Sequence, residues 1–256
     1  MPMPRTGPTS RTSSLKGLCF GDLDGDDIDE IVVFSQSKKL DENDQPQFTS
    51  VRVFKKAAGG YHEEWKADGH GHISLWPTGL HHLLGDGRLQ IVTVAVVTWS
   101  IGYNLNVYGL QDGTFKVLLT VPTIFYPDIS DLDGDGRREI VVSGKGTAPE
   151  IYSWDGKRFA QADHKFPGYY RQLAARDLAA NLRTKPLNAA RLHSLQILLR
   201  ELALAGMALE IEEIATTVLK TAEGDEEART VGGASALEEI QRILAACRKK
   251  ISPGEQ

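Results

Sequence analysis

One segment of this chain occurs twice. Asp22-Leu-Asp-Gly-Asp-Asp-Ile-Asp-Glu30-Ile-Val-Val returns, little changed, as Asp131-Leu-Asp-Gly-Asp-Gly-Arg-Arg-Glu139-Ile-Val-Val. Each copy places carboxylates at positions 1, 3, 5 and 9 and runs at once into β-branched residues. Side chains at alternate positions of a tight loop converge on one point. There they offer hard oxygen ligands, of which a calcium ion takes about six to eight. Glycine at position 4 permits the sharp turn, and Gly136 repeats this at position 6 of the second copy. The expected ligands are Asp22, Asp24, Asp26, the backbone carbonyl of Ile28 and Glu30. In the other copy they are Asp131, Asp133, Asp135, the backbone carbonyl of Arg137 and Glu139. Asp27 and Asp29 fall on even positions, which point away from the centre, and read as solvated.

An EF-hand would need a bidentate Glu at position 12 and a helix on each side. Position 12 is Val33 in one copy and Val142 in the other, and Ile-Val-Val reads as strand. The pattern is therefore strand–loop–strand.

A degenerate third copy, His82-Leu-Leu-Gly-Asp86-Gly-Arg-Leu-Gln90-Ile-Val, lies between the two. It keeps the loop's shape and one ligand carboxylate, Asp86, and is expected to hold no ion. The first positions, 22, 82 and 131, are 60 and 49 residues apart, a spacing found in repeat arrays such as propellers. After each loop come two more aromatic-bearing runs, with Asp112-Gly and Asp155-Gly as hairpin turn signals. Each unit thus reads as strand, loop, strand, hairpin strand, strand, which is one four-stranded blade.

On Phe20-Gly21-Asp-Leu-Asp-Gly-Asp26 and Ser130-Asp-Leu-Asp-Gly-Asp-Gly136, each followed by Glu-Ile-Val-Val, the chain resembles the FG-GAP and VCBS-type repeat family. These are the β-propeller repeats of integrin α-subunits and of many bacterial surface and secreted proteins. The resemblance covers about residues 15 to 165, is weak in the middle unit, and lacks the family's Gly-Ala-Pro element, to which Gly146-Thr-Ala-Pro149 is only distantly similar. It implies a β-propeller-like segment of about three blades with structural calcium at two loops, and fixes no biological activity. Since closed rings have about four to eight blades, three outcomes stand open: helices covering the open edge, two chains completing a ring, or a longer protein.

The net charge of −5 is uneven. Residues 1–168 carry 17 Lys/Arg and 22 Asp/Glu, residues 169–256 carry 12 of each, so the whole excess lies with the repeats. This is not a nucleic-acid footprint. Cys19 and Cys247 make a poor disulfide framework and read as buried free thiols. There is no run long enough to span a membrane. Residues 1–14, rich in Pro, Ser, Thr and Arg, read as a disordered tail without a signal-peptide core. That places the chain in the cytoplasm, whereas the repeat family implies an extracellular site if the start is truncated or misassigned.

Residues 15–168 form the blade region by this reading, and residues 169–256 a helical region of about four helices. Leu192, Leu195, Leu198, Leu199 and Leu202 recur at helical spacing up to Gly206, and Ile211, Ile214, Ala215, Val218 and Ala222 mark a further helix. The last helix is expected to begin at a capping box, Ser235-Ala-Leu-Glu238, and to bury positions 237, 240, 244, 247 and 251. Arg176-Asp-Leu-Ala-Ala-Asn181 echoes the loop motif, either as a fourth repeat converted to helix or by chance.

Two His pairs, His70-Gly-His72 and His81-His82, lack a partner at ligand spacing and read as polar loop and strand edge. No Gly-x-Ser-x-Gly elbow or phosphate-cradling loop is present, so no catalytic residue and no organic cofactor are assigned. The expectation is a non-catalytic binding or scaffold module. Its propeller face would meet a protein or glycan partner, and its helices would mediate assembly, homo-oligomers included. The alternative is an accessory or degenerate domain of a secreted polysaccharide-active enzyme.

Overall fold

The computed structural model describes residues 17–40, 46–68, 79–98, 102–144, 147–182, 188–223, 225, 228 and 230–251. The expected tail over 1–14 and the His70-Gly-His72 pair lie outside them. Tertiary contacts divide the chain into a unit of residues 1–142 with 152–160 and a unit of residues 143–151 with 161–256.

Each acid loop is set between a short strand and a strand that opens Glu-Ile-Val-Val. The first sheet runs β1 (Leu18–Gly21), β2 (Glu30–Leu40), β3 (Pro46–Ala57), β4 (Gly60–Asp68), in that order. The second runs β5 (Leu80–His81), β6 (Gln90–Thr98), β7 (Gly102–Gln111), β8 (Thr114–Thr123). The third comprises β9 (Asp128–Ser130), β10 (Glu139–Val142), β11 (Glu150–Trp154) and β12 (Phe159–Gln161). All three are antiparallel, four-stranded and open. β7 and β8 are joined by Asp112-Gly113, both at positive φ, the conformation a two-residue hairpin demands and Asp-Gly supplies.

Alternation along the strands decides which side chains meet. Leu23, Val32, Val51 and Val53 of the first repeat pack with Leu80, Leu89 and Ile91 of the second. Trp65 bridges the same layer, its ring centroid 5.2 Å from both Tyr108 and Phe115. A second layer joins Val92, Val94, Leu105 and Val107 to Ile140, Val142 and Phe159. The pattern repeats by position. Leu80, Ile91 and Tyr108 pack on the first layer, and Ile129, Ile140 and Tyr152 on the second. Their equivalents in the first sheet, Phe20, Ile31 and Phe54, are partly buried, as are Tyr108, Ile129 and Tyr152; the difference lies at the middle position, where Ile91 and Ile140 are fully buried and Ile31 is not.

The second unit holds α1 (Pro167–Leu182), α2 (Ala189–Leu204), α3 (Ala208–Ala222) and α4 (Val231–Ile251). Pro167 opens α1, where its missing N–H costs nothing. Asn188 caps α2 by accepting from the Arg191 N–H at 3.0 Å, and Gly206 at φ 75 follows its end. All five leucines expected on the inner face of α2 are buried, together with Ile211, Ala215, Val218 and Ala222 of α3 and Ile240, Leu244 and Cys247 of α4. Arg176–Asn181 lies inside α1. α4 begins at Val231, not at Ser235, so the capping box is not the helix start. A Cβ on Gly233 would strike the carbonyl of Ala228 and touch Leu192, so that glycine permits close packing instead of breaking the helix.

The start of the second unit is tied by polar contacts. The Tyr170 hydroxyl donates to the Pro149 carbonyl (2.7 Å) and the Asp163 carboxylate (2.9 Å), which also accepts from the Ile151 N–H at 2.6 Å.

Candidate metal centres

The first loop folds around its own carboxylates. Asp22 accepts from the N–H groups of Gly25 (2.6 Å) and Asp27 (3.1 Å). Asp24 accepts from Asp26 N–H (3.2 Å), and Asp26 from Ile28 N–H (2.9 Å). Glu30, at the start of β2, reaches back to the Leu23 N–H at 2.8 Å. The third-sheet loop reproduces this bond for bond. Asp131 takes Gly134 and Gly136 (2.7 and 3.0 Å), Asp133 takes Asp135 (3.2 Å), Asp135 takes Arg137 (2.8 Å), and Glu139 takes Leu132 (2.9 Å).

These bonds bring Asp22, Asp24 and Glu30 together, and likewise Asp131, Asp133 and Glu139, with carboxylate oxygens within 4.8 Å of one another. Positions 1, 3 and 9 thus converge as the sequence implies. The position-5 carboxylates stand outside these groups, each paired with a cation. Asp26 lies 2.9 Å from Lys55 Nζ, and Asp135 lies 2.8 Å from Arg137 Nε. Lys55 Nζ also contacts Asp24.

The degenerate loop shows what the acidic loops lack. Gln90 Oε1 accepts from the Leu83 N–H at 2.7 Å, as Glu30 and Glu139 do in their loops. Its Nε2 then donates to the carbonyl of Arg88, at position 7, at 3.0 Å. Position 7 is the carbonyl expected to ligate metal at Ile28 and Arg137. A carboxylate has no donor to offer it. Glu30 Oε1 is fully buried and has no hydrogen-bond partner. A cation between this oxygen and the neighbouring carboxylates would satisfy it, so the residues present fit a calcium ion.

Electrostatics agree with the geometry. Burial pushes the Glu30 carboxyl up to about 7, the Leu23 N–H opposing the shift and the Asp24 charge adding to it. Burial likewise raises Glu139. The hydrogen bond from Lys55 holds Asp26 below the usual carboxylate range, and that from Arg137 does the same for Asp135. Hydrogen bonds to Asp24 and then Asp26 lift the Lys55 ammonium above its ordinary range.

The loops are stacked by a repeated contact. The Asp22 carbonyl accepts from Leu89 N–H at 2.9 Å, and the His82 carbonyl from Arg138 N–H at 3.1 Å, so position 1 of each loop meets position 8 of the next. Gly25 faces Arg88, and Gly85 faces Arg137, where an added Cβ would lie 2.5 Å from Cδ. In the first two loops position 4 therefore needs glycine twice over, for its positive φ and for the side chain laid across it.

Lys55 was not legible as a site residue, because it arrives from β3, 31 residues after Asp24. The available signal was register: Phe54 pairs with Ile31, so Lys55 follows next to the loop. Of the other candidates, burial and the Arg138 charge lower His81 to about 4, and its Nδ1 lies 3.2 Å from Arg138 Nη1, so it is a strand-edge group held neutral. Within the helical unit, a groove of about 610 Å³ is lined by Leu178, Leu195, Leu202, Met207, Ile214 and Val218, among others. Among the described residues no helix is long and apolar enough to cross a membrane. No protein-family model, curated protein or solved structure matches the chain.

Proposed function

We propose that the three sheets are calcium-stabilised propeller blades of the FG-GAP/VCBS kind, serving as a non-catalytic binding or scaffold module. The observation that carries this reading is the buried, unpartnered Glu30 Oε1, at the position where the degenerate loop supplies an amide donor. Asp22, Asp24 and Glu30 would hold one ion, with the Ile28 carbonyl. Asp131, Asp133 and Glu139 would hold the other, with the Arg137 carbonyl. Asp26 and Asp135 would join by exchanging their ammonium or guanidinium partner for the metal. Bound calcium supplies positive charge that offsets the mutual repulsion of the carboxylates and the cost of burying them. The chain's own residues fix the loop, which in turn sets the stacking of one blade on the next through positions 1, 4, 7 and 8.

Ile31, partly exposed where its counterparts Ile91 and Ile140 are fully buried, supports an array that continues beyond the first sheet. A protein or glycan partner would meet the propeller face, and the helical unit is an assembly element in this reading. Thermal unfolding in excess calcium and in chelator tests the calcium part, for the wild type and for Asp24→Ala and Asp133→Ala. Calcium should raise the midpoint markedly, and each substitution should remove part of the rise. An identical midpoint in both conditions would sink the reading.

A further inference from the structure

Every loop pairs its position-5 carboxylate with a cation, but the cations differ in origin and reach. Arg88 and Arg137 come from position 7 of their own loops and contact the position-5 carboxylates Asp86 and Asp135. Lys55 comes from β3 and reaches further. Its ammonium touches Asp24 as well as Asp26, and Asp24 belongs to the converging group with Asp22 and Glu30. The Lys55 and Asp24 side chains are 25% and 14% exposed, so the contact is sheltered from water and stronger than an open surface pair. The first loop is also the one that needs a counter-charge most. It has six acidic residues between positions 22 and 30 and no basic one, whereas residues 131–139 have four acids and two arginines.

We propose that Lys55 is a built-in counter-cation that competes with calcium at the first loop, so that filling this site expels the ammonium from Asp24 and Asp26. The proposal rests on the calcium reading above and adds a device to it. Asp24 and Asp26 each give one oxygen to a loop N–H and the other to the ammonium, so a divalent ion must compete with Lys55 for the remaining oxygens. Without metal, Lys55 holds the position-3 and position-5 carboxylates together and the loop stays folded. With metal, those oxygens turn to the ion, and the amine moves into solvent on its flexible stem. The first loop thereby becomes an exchangeable site whose occupancy is reported at the surface of β3, while the third-sheet loop has no lysine in its cluster.

The test uses the full chain with the third-sheet site disabled by Asp131→Asn and Asp133→Asn. Calcium binding is then measured by titration calorimetry with and without Lys55→Met. Removing the competing charge-assisted hydrogen bonds should tighten the first site by about tenfold to a hundredfold. In parallel, the wild-type chain is acylated at its amines in chelator and in calcium, and Lys55 modification is followed by mass spectrometry. Its labelling should be several-fold faster in calcium, a readout that does not depend on the variant folding. If calcium binds but Lys55→Met leaves its affinity unchanged, or if Lys55 labelling is indifferent to calcium, the competition is refuted and the calcium reading stands. If neither chain takes up calcium, both fall.

Discussion

Glu30→Gln converts the first loop to the chemistry of the degenerate one, and its outcome follows from the comparison of Glu30 with Gln90. In the wild type without calcium, Glu30 uses one oxygen for the Leu23 N–H and leaves the other buried without a partner. A buried polar group left unsatisfied costs about 1–3 kcal/mol, more when charged, and one regained hydrogen bond contributes about 1 kcal/mol. In the variant the amide can copy Gln90, whose nitrogen donates to the position-7 carbonyl. At pH 8 in chelator the variant should therefore be more stable than the wild type by about 2–4 kcal/mol, or roughly 5–15 °C in midpoint for a unit of this size. Calcium reverses the order. At a concentration about 1,000 times its dissociation constant each occupied site adds about 4.1 kcal/mol, and the variant can collect this only at the other loop. Thermal unfolding followed by circular dichroism, in chelator and in calcium, reads both effects. A variant less stable than the wild type in chelator would refute the argument that Glu30 is held there at a cost.

Three further outcomes follow from single residues. Asp27 takes φ 63 at position 6, where the other loops have Gly87 and Gly136; Asp27→Gly should stabilise the chain by about 0.5–1 kcal/mol in denaturant titration. Gly85→Ala should cost about 2 kcal/mol or more, because the new methyl meets Arg137 as well as a positive φ. Gly134→Ala, whose added methyl meets nothing within 4 Å among the described residues, should cost only the backbone strain, about 1 kcal/mol. Equal losses would argue against the stacking of loop on loop. Glu201, buried within α2 beside the charge of Asp177, is pushed up to about 7, mainly by desolvation. Because its unfolded value is about 4.3, its contribution is full below that pH and is lost as pH rises through about 7. Helical stability measured by denaturant at 222 nm should fall by on the order of 3 kcal/mol across this window, and Glu201→Gln should flatten the slope.

Much of the architecture was legible because it is periodic. Three loop copies, β-branched runs after them and Asp-Gly turns give strands of the right number and order. The leucines of α2 give its buried face without reference to anything distant. The converging carboxylates at positions 1, 3 and 9 could be read from alternation alone. What escaped was set by contacts across the fold. Position 5 turns to a cation, and for Asp26 that cation comes from another strand, which loop spacing does not reveal. Gln90 looks like a lost ligand in the sequence, yet in the structure its amide occupies both roles that its loop needs filled. Gly233 lies inside α4, and a side chain there would have met Ala228 and Leu192, a packing constraint that comes from elsewhere in the chain.

In the proposed calcium sites, two loops of this chain hold the ion through their position-1, position-3 and position-9 carboxylates. Calcium stoichiometry measured by equilibrium dialysis of the full chain tests it most directly, with Asp22→Asn, Asp131→Asn and the double variant alongside. Two ions per wild-type chain are expected, one for each single variant and none for the double. Two ions retained by the double variant, or none bound by the wild type, would contradict it.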